Sequence, residues 1–205
     1  MLTVIRTMSW SSKEINMPTS SDFIFHCEKS LKAMGPEDLR RGATFPPSDF
    51  SAEIFARLSG RSFWVFFPFD DFFFIHDFTG RDTESRHEIE ELHESAKRYV
   101  NSLYHLPKLL RYRVPNINTV AVSEKGFGIE CQRYAYSLSP SPLGGERNTV
   151  FLVDLINRRV ISPGIEVTEV DMLAIAFKKV NPHNRALGII TKLSMDFFKQ
   201  GVQGK

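Results

Sequence analysis

The sequence predicts an α/β protein, or its mixed α+β variant, built on a mixed sheet of about five strands that includes two hairpins and carries helices on its faces. Three observations lead there. Short runs rich in β-branched and aromatic residues read as strands. Longer stretches with apolar residues three and four apart read as helices. The two kinds alternate along residues 117–155 as strand, helix, strand, which implies a crossover between parallel strands, while the hairpins add antiparallel partners.

The opening LTVIRTMSW alternates apolar and polar side chains, so residues 1–20 read as an N-terminal arm or edge strand. Ser20 and Ser21 then offer N-caps to a helix whose stripe is Phe23, Cys27, Leu31 and Met34, and Gly35–Pro36 stops it. GPEDLRRGATFPPSDF, broken by glycines and prolines, predicts a surface connector, followed by a short helix at Ser51 to Leu58 that Gly60 ends.

FWVFFPFDDFFFIHDF, residues 63–78, holds eight of the 18 phenylalanines. Pro68, Asp70 and Asp71 divide it into runs too short to cross a membrane and of strand length instead. The expectation is a hairpin that turns at the aspartates and is covered on both faces. The competing reading is an exposed aromatic docking surface.

A long amphipathic helix is predicted from Asp82 to about His105, with Ser85 and Glu88 as its capping box and Pro107 as its stop. INTVAVS forms the next strand, the loop EKGFG leads to a helix at Ile129 to Leu138, and NTVFLVDL with RRVIS form the second hairpin. Thr168 caps a helix carrying Val170, Leu173 and Phe177, and a last helix runs from about Ala186 to Lys199. The predicted organisation is thus one globular domain over 21–200, with a frayed tail at 201–205.

Composition excludes some classes of function. Apolar residues at 42% and charged residues at 24% are those of an ordinary folded chain. Lys plus Arg number 26 against 24 for Asp plus Glu, so no whole-molecule field draws the chain to nucleic acid or anionic lipid. Cys27 and Cys131, without metal-type spacing, predict two buried thiols of a reducing compartment and a cytoplasmic protein. Arg6 and the serines before Glu14 only weakly resemble a transit peptide.

Chemistry could sit in several places. His87 and His93 are six apart and point about 120° away from each other on a helix, so they fail the two-histidine zinc pattern, and no metal site is predicted. VSEKGFGIE joins a strand end to a helix start, where Gly126 and Gly128 would let the backbone approach a phosphate and Lys125 would add charge. The bland reading is a tight strand-to-helix turn. A nuclease-like set can be drawn from Asp71 or Asp77, Glu124 or Glu130, Lys125 or Gln132, and Asp154, since metal-dependent phosphodiester cleavage needs carboxylates around a hard cation. Lys108, Arg111 and Arg113, with Tyr112 among them, could contact nucleic acid or simply be solvated connector residues.

With no nucleophile, metal set or cofactor loop recognisable, the leading expectation is a soluble intracellular binding or protein-interaction module whose partner is another protein. The alternative is a metal-dependent enzyme acting on a phosphate-bearing substrate through the 124–128 loop. No spanning helix and no particular cofactor are predicted.

Overall fold

The structure, a computed structural model, describes residues 19–46, 50–61, 68–107, 110–138, 146–163, 165–168 and 185–203. Helix α1 (Ser20–Ala33) leads into strands β1 (Asp38–Phe45), β2 (Phe50–Arg61) and β3 (Pro68–Asp77). Helix α2 (His87–Ser102), β4 (Val114–Ser123), α3 (Ile129–Ser137) and β5 (Arg147–Asp154) follow. The chain then forms β6 (Arg159–Ser162), β7 (Ile165–Thr168) and α4 (Arg185–Gln203). All seven strands join one mixed sheet in the order β1-β2-β3-β4-β5-β6-β7. Strands β3, β4 and β5 are parallel, and the flanking pairs on both sides are antiparallel.

The period of two along each strand decides which helix layer each side chain meets. On β3, Phe73 and Ile75 point to the layer formed by α1 and α4, where they join Phe23, Leu31, Ile190, Leu193 and Phe198. Phe72 and Phe74 point to the opposite layer and meet Phe45, Phe50, Phe55 and the α2 residues Ala96 and Val100. Helix α3 extends that second layer with Cys131, Tyr134 and Ala135 against Val150, Leu152 and Ile161. Near-continuous apolarity along β3 is therefore the mark of a strand covered on both faces. The aromatic run is interior as far as the described residues show it, with Phe72, Phe73, Phe74, Ile75 and Phe78 all at most 1% exposed.

Three local expectations are corrected. Residues 51–58 form the middle of β2 rather than a helix. Their alternate side chains Ile54, Ala56 and Leu58 face α1 and α4 while Phe55 faces α2, so two-sided burial overrides the helical spacing. Much of the predicted connector is β1, which pairs with β2 from Asp38↔Arg57 to Phe45↔Phe50 and opens its left-handed position at Gly42, φ 57°. Asp70 and Asp71 are not a turn but lie inside β3, paired with Ser59 and Leu58 of β2, and the pairing of the two strands continues to Arg61↔Pro68.

Other features agree with expectation or shift slightly. The hairpin of β5 and β6 is present, turning through Arg158 at φ 48°. Thr19, not Ser20, caps α1, its side chain accepting from the Asp22 amide. Helix α2 starts at His87 behind an Asp82 turn that accepts the Glu84 and Ser85 amides. Thr168 ends β7, and the helix predicted at 170–177, the N-terminal arm before residue 19 and residues 63–67 lie outside the described residues.

Candidate functional site

The carboxyl ends of the parallel strands bring together three of the expected acids. Asp77 closes β3, Glu124 follows β4, and Asp154 closes β5. Each is already engaged within the chain. The start of α1 inserts between the first two: the Ser20 amide donates to Glu124 Oε1 at 2.6 Å, and Ser20 Oγ donates to Asp77 Oδ2 at 2.9 Å. Thr79 adds its hydroxyl to Ser20 Oγ at 2.8 Å and its amide to Asp77 Oδ1 at 2.8 Å. Two carboxylates thus complement the N-terminal end of a helix dipole.

The 124–128 loop is organised around carboxylates too. Gly126 adopts a left-handed φ of 81°, and a Cβ there would stand 3.2 Å from Asp154 Oδ2. Asp154 is fully buried and accepts from the Asn157 amide at 3.0 Å, Asn157 Nδ2 at 2.7 Å and Arg159 Nε at 2.9 Å. Gly128 donates its amide to the Thr83 carbonyl at 2.8 Å, and a side chain there would meet Glu84, whose Cα would be 2.9 Å away. The Lys125 amide bonds Ser123 Oγ at 3.0 Å, leaving its ammonium stem exposed. The glycines thus give close approach, but to the side chains of Asp154 and Glu84. Glu130 is exposed on α3, while Gln132 turns back to bond the Phe127 carbonyl. Among the described residues, no three His, Cys, Asp or Glu side chains stand close enough to hold a metal ion.

The amino ends of the same strands hold the other acids. Asp70, buried on the α2 side, accepts from Ser59 Oγ at 2.6 Å, Arg113 Nη1 at 2.7 Å, Arg57 Nη2 at 2.9 Å and Tyr104 Oη at 3.3 Å. Burial alone would raise its pKa, but the Ser59 and Arg57 hydrogen bonds and the Arg57 and Arg113 charges hold it below the usual carboxylate value. Asp71 faces the other layer. It accepts from Asn116 Nδ2 at 2.8 Å and lies 3.5 Å from Arg185 Nη1. Burial dominates there and pushes its pKa up to about 6.

Of the basic segment, Lys108 lies outside the described residues. The Arg111 side chain is largely buried, with its guanidinium 4.6 Å over the Tyr104 ring and Nε donating to the Leu106 carbonyl at 3.4 Å. Arg113 is partly exposed and bridges Asp70 and Ser59. Arg113 ties the connector between α2 and β4 to β2 and β3, while Arg111 braces it internally and faces Glu146 ahead of β5. That connector carries a run of exposed apolar side chains. Leu103, Leu106, Leu110 and Tyr112 are 45%, 53%, 67% and 69% exposed within ten residues. The signal lies in LLRYR, where large apolar side chains alternate with arginines.

The histidines separate as their spacing demands: His87 is exposed, while His93 is buried with Nδ1 2.9 Å from Thr119 Oγ1. Cys27 and Cys131 are buried free thiols on opposite faces of the sheet. Burial pushes the Cys131 thiol up to about 11, away from nucleophilic reactivity.

The fold and its sites define a three-layered α/β domain with a mixed seven-stranded sheet. Compared with protein-family models, with curated proteins and with solved structures, the chain matches none.

Proposed function

We propose that this domain is a protein-binding module and that the connector between α2 and β4 is its contact surface. The observation that carries the reading is the exposure of Leu103, Leu106, Leu110 and Tyr112 in one short stretch. The aromatic run on β3, by contrast, is consumed by the core. Large apolar side chains exposed within a short stretch of chain are costly to leave in water, and exposed apolar surface of this kind marks interaction sites. Tyrosine beside arginine is also the composition enriched at the centres of interfaces.

Rigidity supports the same reading. Arg111 stacked on Tyr104 and Arg113 bonded to Asp70 fix the connector before any partner arrives, which lowers the ordering cost of association. The two buried free thiols suit work in the reducing interior of a cell. No helix among the described residues is long and apolar enough to cross a membrane.

The double variant L110E/Y112E should change unfolding stability by no more than about 0.5 kcal/mol, because both side chains are exposed. It should nonetheless abolish partner capture. A photo-reactive residue at position 110, activated in the cell of origin, is expected to give one discrete protein adduct that is lost on Leu106→Glu. The same group at exposed Ser21 should not give that adduct. Identical adducts from the two positions, or none from position 110, would remove the connector as a contact surface.

A further inference from the structure

We propose that Arg185 and Asp71 form a proton-released latch that fastens the first turn of α4 to the carboxyl end of β2 and the amino end of β3. The geometry is that of a clamp. Arg185, the first residue of α4, reaches three points with one guanidinium: Asp71 Oδ2 at 3.5 Å, the Ser59 carbonyl of β2 at 3.1 Å, and the Phe69 ring of β3 at 5.6 Å. Gly60 makes room for it, since an added Cβ would stand 2.6 Å from the Phe69 ring and collide with Arg185 Nη1.

Asp71 is 1% exposed, and only its Oδ1 accepts a hydrogen bond, from Asn116. Oδ2 depends on the ionic attraction of Arg185. The charged and polar groups that act on this carboxyl from each packed element are Asp70 of β3, Asn116 of β4, Arg147 of β5 and Arg185 of α4. On β2, the neutral Ser59 carbonyl and Gly60 lie against Arg185.

A carboxyl this buried takes up a proton near pH 6, far above the value of a solvated aspartate. Uptake neutralises Asp71 and removes the ionic arm of the clamp. Arg185 then keeps one carbonyl and one ring face, both of which compete poorly with water for a guanidinium that is 35% exposed. Beyond the first turn, Ile190, Leu193 and Phe198 remain buried against the sheet and hold the rest of α4 in place. Release is therefore confined to the helix start. His26, the titrating neighbour at the far end of α4, packs against Phe197 and would act there instead.

Amide hydrogen exchange corrected for intrinsic rate tests the latch. Between pH 7.5 and 5.0, protection of the amides at 189–192 should fall about fivefold in the wild-type protein, while those at 194–198 hold steady. Asp71→Asn should show the lower protection at both pH values, and Arg185→Gln should match it. Wild-type protection that stays flat across this range, or a pH dependence that survives in Asp71→Asn, overturns the proposal. Should Asp71→Asn fail to fold, the wild-type titration and Arg185→Gln decide it alone.

Discussion

Phe74→Ala is expected to lower unfolding stability by about 3 to 5 kcal/mol, the range for truncating a buried phenylalanine into a packed site. Phe74 is fully buried at the centre of an aromatic cluster, with ring centroids 5.1 Å from Phe55, 5.5 Å from Phe50, 5.6 Å from Phe45 and 6.2 Å from Tyr99. Its removal takes away transferred apolar area and four tilted or edge-to-face contacts at once. The surrounding rings belong to β1, β2 and α2 and are close-packed, so they cannot close the void by a simple rotation. A loss of this size is a large fraction of the stability of an ordinary domain. Phe25→Ala is the natural control, since Phe25 is 60% exposed and should cost less than about 0.5 kcal/mol. Urea titration should show a lower midpoint for Phe74→Ala with an unchanged slope. A loss below about 1 kcal/mol would mean that the cluster is far looser than its geometry.

Acid should be the second large perturbation. His76 is fully buried, and burial, with the Arg81 charge adding, lowers its pKa from 6.5 to about 3. His93 is lowered to about 4, again by burial first and then by Lys97. Both folded pKa values lie below the unfolded value, so below pH 6.5 the unfolded chain binds more protons and stability falls as pH falls. Asp71 has the opposite sign. Its folded pKa, about 6, lies above the unfolded 3.8, so its ionised form weakens the fold at neutral pH and that penalty is relieved as pH drops through 6. Two histidines oppose one aspartate, and the net change from pH 7 to 4 should be a loss of about 3 kcal/mol from these three groups. His76→Leu isolates the largest share. The pH 7 to 4 difference in unfolding free energy should shrink by about 3 kcal/mol in that variant. An unaltered difference would show that His76 accepts a proton within the fold without strain.

The sequence made much of this architecture legible, and where it misled, the missing information was non-local. Phe72 to Ile75 identify a two-sided strand from their own composition, and the stripes at Phe23, Cys27 and Leu31 and at Ile89 and Ala96 identify helices from their own spacing. Ser51 to Leu58 carries helix-forming Ala, Glu, Arg and Leu, and only the helix layers on either side of β2 make it a strand. Asp70 and Asp71 have the composition of a turn. What admits Asp70 to a buried strand is Arg57, Ser59, Tyr104 and Arg113, and what admits Asp71 is Asn116 and Arg185, residues as far as 114 positions away in the chain. The glycines at 126 and 128 were recognisable as points of close approach, but Asp154 and Glu84 could not be named as what approaches. The exposed connector was hidden for the converse reason. Leu106, Leu110 and Tyr112 have the letters of a core, and exposure is a property of the packed molecule rather than of the residue.

Because every strand lies in the sheet beside the strand that precedes it in the chain, the sheet has no insertion step. An emerging polypeptide can add each strand to an edge that already exists, and no segment must wait for a distant one before it finds its hydrogen-bonding neighbour. The seven strands are thus suited to vectorial growth during synthesis, with α2 closing over Phe72 and Phe74, and α3 over Val150 and Leu152 once β5 is laid down.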